Sequence, residues 1–170
     1  TRDFIGYAEN YSKLAKEQLN WKSNPQSWSI LECLEHLNLY GDFYLVEIEK
    51  RIGQSTSQPF GPFKSGLMGN YFAVSMLPRE GKIRKMKTFK DKDPSNSELP
   101  TTIVDRFIGQ QERMLELLEL ARSADLNRVK TSITLPIIKL KLGDTFRFVI
   151  YHNERHKGQA EKVLTEFGAS

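Results

Sequence analysis

The residues in this sequence best suited to metal chemistry are its three histidines, His36, His152 and His156. His152 and His156 stand four residues apart, so on a helix they stack one turn apart on one face, with roughly 6 Å between their Cβ atoms. Two imidazoles so placed can chelate one ion. At about 100° per residue both fall in the stripe that carries Val149, Ala160, Val163 and Phe167, which aims them into a core. His36 lies on the flank of another apolar helical face and supplies a third nitrogen. Three protein ligands leave a coordination shell incomplete, and that open position separates catalytic from structural zinc sites.

The opposing reading is that H-x-x-x-H arises by chance and that each ring is a hydrogen-bonded core residue. Economy argues against it, because three neutral imidazoles crowded together would each need a buried partner. A ligating histidine usually donates its other N–H to a carboxylate or carbonyl, and Glu32, Glu35, Asn153 and Gln159 are the candidates near in sequence. Glu32 also reads as a helix cap, and Glu35 as solvated surface. Cys33, one turn before His36 and Leu37, could be a ligand or nucleophile, but its neighbours make it a small core residue. Tyr40, Tyr44 and Tyr151 could donate hydrogen bonds to a ligand or fill the core. No catalytic residue can be assigned from spacing alone.

Four helices position these groups. Residues 2 to 19 carry Phe4, Ala8, Tyr11, Ala15 and Leu19 at helical spacing. Ser29 with Glu32 three residues later forms a capping box that opens a second helix, which runs to about Ile52 and stops at Gly53. A third spans residues 101 to 122, with Phe107, Gln110, Met114 and Leu117 in period. Gly143-Asp144 offers a break and an N-cap for the fourth, residues 145 to 167. Between the second and third lies a connection of nearly fifty residues with room for one short helix at residues 67 to 77; residues 124 to 142 form an irregular crossing with an extended stretch at 133 to 138. The expectation is a single all-α domain over residues 1 to 170, a four-helix bundle with a long crossover.

Composition fits a packed core, with 39% apolar and 27% charged residues. The formal charge of +4 is mild and mixed along the chain. Lys82, Arg84, Lys85, Lys87, Lys90 and Lys92 cluster in the long connection, but acidic residues dilute them and no aromatic platform interleaves them, so no nucleic-acid partner is expected. One cysteine allows no intrachain disulfide, and no apolar run reaches the length of a membrane span. A cytoplasmic protein without a membrane partner is expected.

Trp28-Ser29-Ile30-x-Glu32-x-Leu34-x-His36-Leu37, and Leu142-Gly143-Asp144-Thr145 leading to His152-x-x-Arg155-His156-x-x-Gln159, resemble motifs of the DinB-like (YfiT-type) superfamily. Residues 85 to 94 are similar to that family's central loop. The resemblance implies up-down-down-up connectivity, a divalent ion at His36, His152 and His156 (zinc or nickel first, then iron or manganese), and frequent homodimers. Characterised relatives include bacillithiol transferases and mycothiol-dependent isomerases. The expected function is therefore a metal-dependent transferase or hydrolase acting on a small molecule, with a low-molecular-weight thiol preferred. A non-enzymatic metal-binding or stress-related module is the alternative.

Overall fold

A computed structural model of the chain describes residues 1–78 and 86–169. Its elements in order are α1 (Arg2–Tyr11), α2 (Lys16–Asn20), α3 (Ile30–Gly53), α4 (Leu67–Ser75), α5 (Thr102–Leu120), β1 (Lys130–Ser132), β2 (Lys139–Lys141) and α6 (Leu142–Gly168), with single 3₁₀ turns at Lys90–Lys92 and Ala121–Ser123. The all-helical expectation holds, with one small antiparallel hairpin added.

The capping box at the head of α3 is complete. Ser29 Oγ accepts from the Glu32 N–H at 3.1 Å, and a Glu32 carboxylate oxygen accepts from the Ser29 N–H at 2.8 Å. From there α3 runs 24 residues, through Gly53 itself.

Where a single helix was expected over residues 2 to 19, the chain breaks. It leaves α1 after Tyr11, and Ala15 is extended at φ −66° and ψ 150° before α2 begins. The redirection seats Leu19, fully buried, beside α3. Burial of both Tyr11 and Leu19 outweighs continuity of a helix that local pattern alone would favour.

The start of α6 also differs from expectation: the helix begins at Leu142, and Asp144 is not its cap. The Leu142 N–H donates to the Val129 carbonyl at 2.9 Å and the Gly143 N–H to the Leu126 carbonyl at 3.3 Å. Backbone carbonyls therefore satisfy first-turn donors that a cap would have served. The buried Asp144 carboxylate instead accepts from the Gly66 N–H at 2.9 Å and from Ser65, pinning the crossover just ahead of α4. Residues 133 to 138 are the turn of the hairpin rather than a strand; pairing occurs on either side, with Thr131 opposite Leu140. Ile137, at φ 71° behind Pro136, turns the chain there.

Helix α3 packs against α5 and α6, α1 against α5, and α4 against α6. Two apolar clusters fill the interior. One gathers Phe4, Tyr11, Leu34, Phe107 and Val163; the other gathers Tyr44, Ile48, Met114, Leu140 and Phe146. On α6, His152 and His156 lie between Val149 of the second cluster and Ala160 of the first, so they mark the seam between the two.

Candidate metal centre

Helix α3 presents His36 and helix α6 presents His152 and His156, and the three rings meet. The Nε2 atom of His152 lies 3.1 Å from Nε2 of His36 and 3.1 Å from Nε2 of His156. The ligand nitrogens of all three lie within 4.8 Å of one another. The residues are only 3 to 6% exposed, which leaves little room for bulk water among them.

The outer nitrogens fix what the inner ones can be. Nδ1 of His36 donates to the backbone carbonyl of Lys92 at 2.7 Å, and Nδ1 of His156 donates to Oε1 of Gln159 at 3.1 Å. A neutral imidazole carries one N–H, so Nε2 of both His36 and His156 is a bare lone pair aimed at His152. A proton on His152 Nε2 could be directed at one of these neighbours, and the second contact would still lack a proper donor. Full protonation of the rings is opposed. Burial lowers the His36 pKa to about 4, and burial together with the neighbouring His36 drives His152 far below its ordinary value. Burial, then His152 and His36, do the same to His156. Arg155, buried on the same helix, adds positive charge against an imidazolium.

Neutral imidazole nitrogens converging with lone pairs inward are the donor set that a divalent transition ion takes. The residues present fit such an ion.

Aromatic rings wall the cluster. Trp28 stacks on His156 with centroids 5.6 Å apart and touches His36 at 4.8 Å. Tyr40 stands 4.9 Å from His36 and 4.7 Å from His152, and Phe148 stacks 5.8 Å from His152. Burial pushes the Tyr40 hydroxyl up to about 12, so it stays a neutral phenol.

Of the four residues read from sequence as ring partners, only Gln159 acts as one. Glu35 faces Arg106, which donates to both its carboxylate oxygens at 3.1 Å. Asn153 turns its amide to Gln111 at 2.9 Å; Gln111 of α5, rather than its neighbour Gln110, is the inward glutamine. Glu32 touches no imidazole. Its carboxylate is fully buried against the Ser29 N–H, the Lys22 ammonium at 2.6 Å and the Asn96 N–H at 2.8 Å.

Cys33 is fully buried in the first cluster, and burial pushes its thiol up, as befits a core residue rather than a ligand. Tyr44 accepts from the Thr134 N–H at 3.5 Å, and Tyr151 lies under Arg147 at 5.5 Å. In the basic cluster Lys82, Arg84 and Lys85 lie outside the described residues, while Lys87 and Lys90 are exposed. Lys92 contributes through its carbonyl. Spacing rules missed that contact because a backbone oxygen leaves no mark in a side-chain pattern. They missed Trp28 and Phe148 as walls because aromatic residues at helix ends and faces read as ordinary core.

Among the described residues no helix is long and apolar enough to cross a membrane. No curated protein and no solved structure shows a significant match to the chain. The family model described as the DinB superfamily does match, over residues 7–160, a span that holds α3, the Lys92 carbonyl, all three histidines and Gln159. The chain belongs to the DinB superfamily.

Proposed function

We propose that His36, His152 and His156 hold one divalent metal ion, zinc or nickel before iron or manganese, and that this centre transfers or hydrolyses a small molecule. The observation that carries the reading is the pair of 3.1 Å contacts between ring nitrogens, two of which are bare lone pairs by virtue of their outer hydrogen bonds. Without a cation at the centre at least one of these contacts lacks a donor between its two nitrogens, and a cation would satisfy all three lone pairs at once.

When bound, a metal ion with a free position lowers the pKa of a thiol or water so that thiolate or hydroxide forms near neutral pH. Thiol transfer is the preferred reaction: the thiolate sulfur bonds to an electrophilic carbon, the leaving group departs with the bonding pair, and the thiol proton passes to solvent. The chain's own residues would orient the imidazoles through Lys92 and Gln159, and exclude water with Trp28, Tyr40 and Phe148. Glu35 is engaged by Arg106, and Glu32 by Lys22 and the Asn96 N–H, so neither of these two carboxylates is offered to the rings. The homodimer and the cytoplasmic setting expected from the family belong to this same reading.

One observation supports a non-enzymatic metal-binding module instead, namely the low exposure of all three histidines, which restricts access to small ligands.

The deciding experiment is elemental analysis of wild-type protein beside His36→Ala and His152→Ala after reconstitution. One equivalent of metal in wild type and none in either variant supports the site; metal-free wild type overturns it. Metal-dependent turnover with low-molecular-weight thiols and electrophilic acceptors then separates enzyme from module, and its absence across the set favours the module.

A further inference from the structure

Glu32 poses a physical question that its capping role does not answer. A capping box needs a single contact from the glutamate to the cap N–H, and one carboxylate oxygen makes it, at 2.8 Å from Ser29. The other oxygen is fully buried and collects two more donors from distant segments. These are the Lys22 ammonium, from the loop between α2 and α3, at 2.6 Å, and the Asn96 N–H, from the crossover, at 2.8 Å. Burying a carboxylate costs free energy unless it is paired and hydrogen-bonded. A neutral cap such as glutamine would have avoided that cost, so the second set of contacts calls for its own explanation.

The contact to Asn96 supplies one. Asn96 is one of the non-glycine residues with positive φ, at 64°, and this turn directs its N–H to Glu32. Four residues upstream is Lys92, whose carbonyl takes the His36 Nδ1 proton. Between them, Ser95 accepts from the Trp28 indole N–H at 2.8 Å and is itself braced by Asp93. Residues 92–96 are therefore held at two points by the segment that opens α3, Trp28 on one side and Glu32 on the other. The far end of the same short segment touches a histidine of the cluster.

We infer that Glu32 is a positioning residue for His36. It fixes residues 92–96 through the Asn96 N–H, and that segment in turn places the Lys92 carbonyl so that His36 keeps its proton on Nδ1 and its lone pair on Nε2. Lys22 balances the charge that this role requires in the interior. The inference rests on the metal-binding reading for its purpose, but its structural claim concerns the tautomer of His36 and is measurable without metal. Loss of an outer partner of a ligating histidine typically weakens metal binding 10- to 100-fold, and the same range is expected when that partner is displaced.

The test uses the full chain as wild type, Glu32→Gln, Trp28→Phe and a destabilised control, Leu140→Ala, in the second apolar cluster. Glu32→Gln keeps an oxygen for the Ser29 cap and removes the charge that holds Asn96 and Lys22. Trp28→Phe keeps a ring against His156 but removes the donor to Ser95, and it substitutes for the first variant if that one fails to fold. Nitrogen-15 NMR of metal-free protein reads the His36 tautomer, and competition against a chelator reads zinc affinity. The expected result is a single Nδ1–H tautomer in wild type and control, and a mixed or inverted tautomer with 10- to 100-fold weaker zinc binding in Glu32→Gln, with a smaller change in the same direction for Trp28→Phe. An unchanged tautomer in both variants overturns the inference. So does an equal loss of affinity in Leu140→Ala, which would mark a general effect of stability. If wild type binds no zinc while the tautomer still depends on Glu32, the proposed metal site fails and the positioning role stands.

Discussion

The carbonyl of Lys92 lies 2.7 Å from Nδ1 of His36, fifty-six residues away in sequence, and so settles which nitrogen of that ring carries the proton. Through this bond the crossover becomes part of the candidate metal centre even though none of its side chains belongs to the histidine cluster. The same logic governs His156 and Gln159 within α6. Measurable consequences follow at the centre and in the frame around it.

Metal addition should stabilise the fold. An ion that binds the folded chain and not the unfolded one adds about 2.7 kcal/mol at a free concentration 100 times its Kd. For a chain of this size that corresponds to a rise in Tm of roughly 5 to 10 °C. Thermal melts of chelator-treated protein with and without zinc or nickel should show the rise in wild type and none in His152→Ala.

Gln159→Leu should weaken metal binding by about ten-fold, since the His156 Nδ1–H then lacks its acceptor and the ring loses its orientation. Gln159→Glu should retain or strengthen binding, because a carboxylate is a better acceptor for an imidazole that faces a cation. Chelator competition on the two variants measures both effects, and equal affinities would show that Gln159 does not orient the ring.

The hairpin should respond to acid through Glu47. Burial would raise the Glu47 carboxyl, but the Ser132 N–H at 2.7 Å and Arg51 at 2.8 Å outweigh it and hold the group below the usual carboxylate range. A carboxyl lowered in the folded state contributes stability that is present above its unfolded value of 4.5 and is lost as pH falls through the folded one. Denaturant midpoints followed from pH 6 to pH 3 should therefore drop less steeply in Glu47→Gln than in wild type. Parallel curves would exclude a role for this anchor in acid stability.

Thr131 and Thr145 are both fully buried and share a hydroxyl–hydroxyl bond that ties β1 to the first turn of α6. Either single change to valine leaves a buried hydroxyl without this partner and should cost about 1 to 3 kcal/mol. The double change should cost clearly less than the sum of the two, because no orphaned hydroxyl remains. Urea unfolding of the three variants measures the coupling; additivity would mean that the bond carries no net stabilisation.

What the sequence by itself determined is local in origin. Helical periodicity located α3, α5 and the body of α6, and the Ser29 and Glu32 pair marked the head of α3, because caps and amphipathic stripes act within one or two turns. The inward aim of His36, His152 and His156 was equally legible, since it depends only on each residue's place on its own helix. Tertiary structure decided whatever required two segments to meet. It broke the first helix so that Leu19 could be buried, moved the start of α6 back to Leu142 by offering carbonyls from Leu126 and Val129, and turned Asp144 from a cap into an anchor for residues 65 and 66. It also set the tautomer of His36, through a backbone oxygen that no side-chain pattern records, and gave Glu32 its second set of partners. Spacing can place a ligand on a face, but the hydrogen bond that readies it comes from another part of the chain and exists only once the chain has folded.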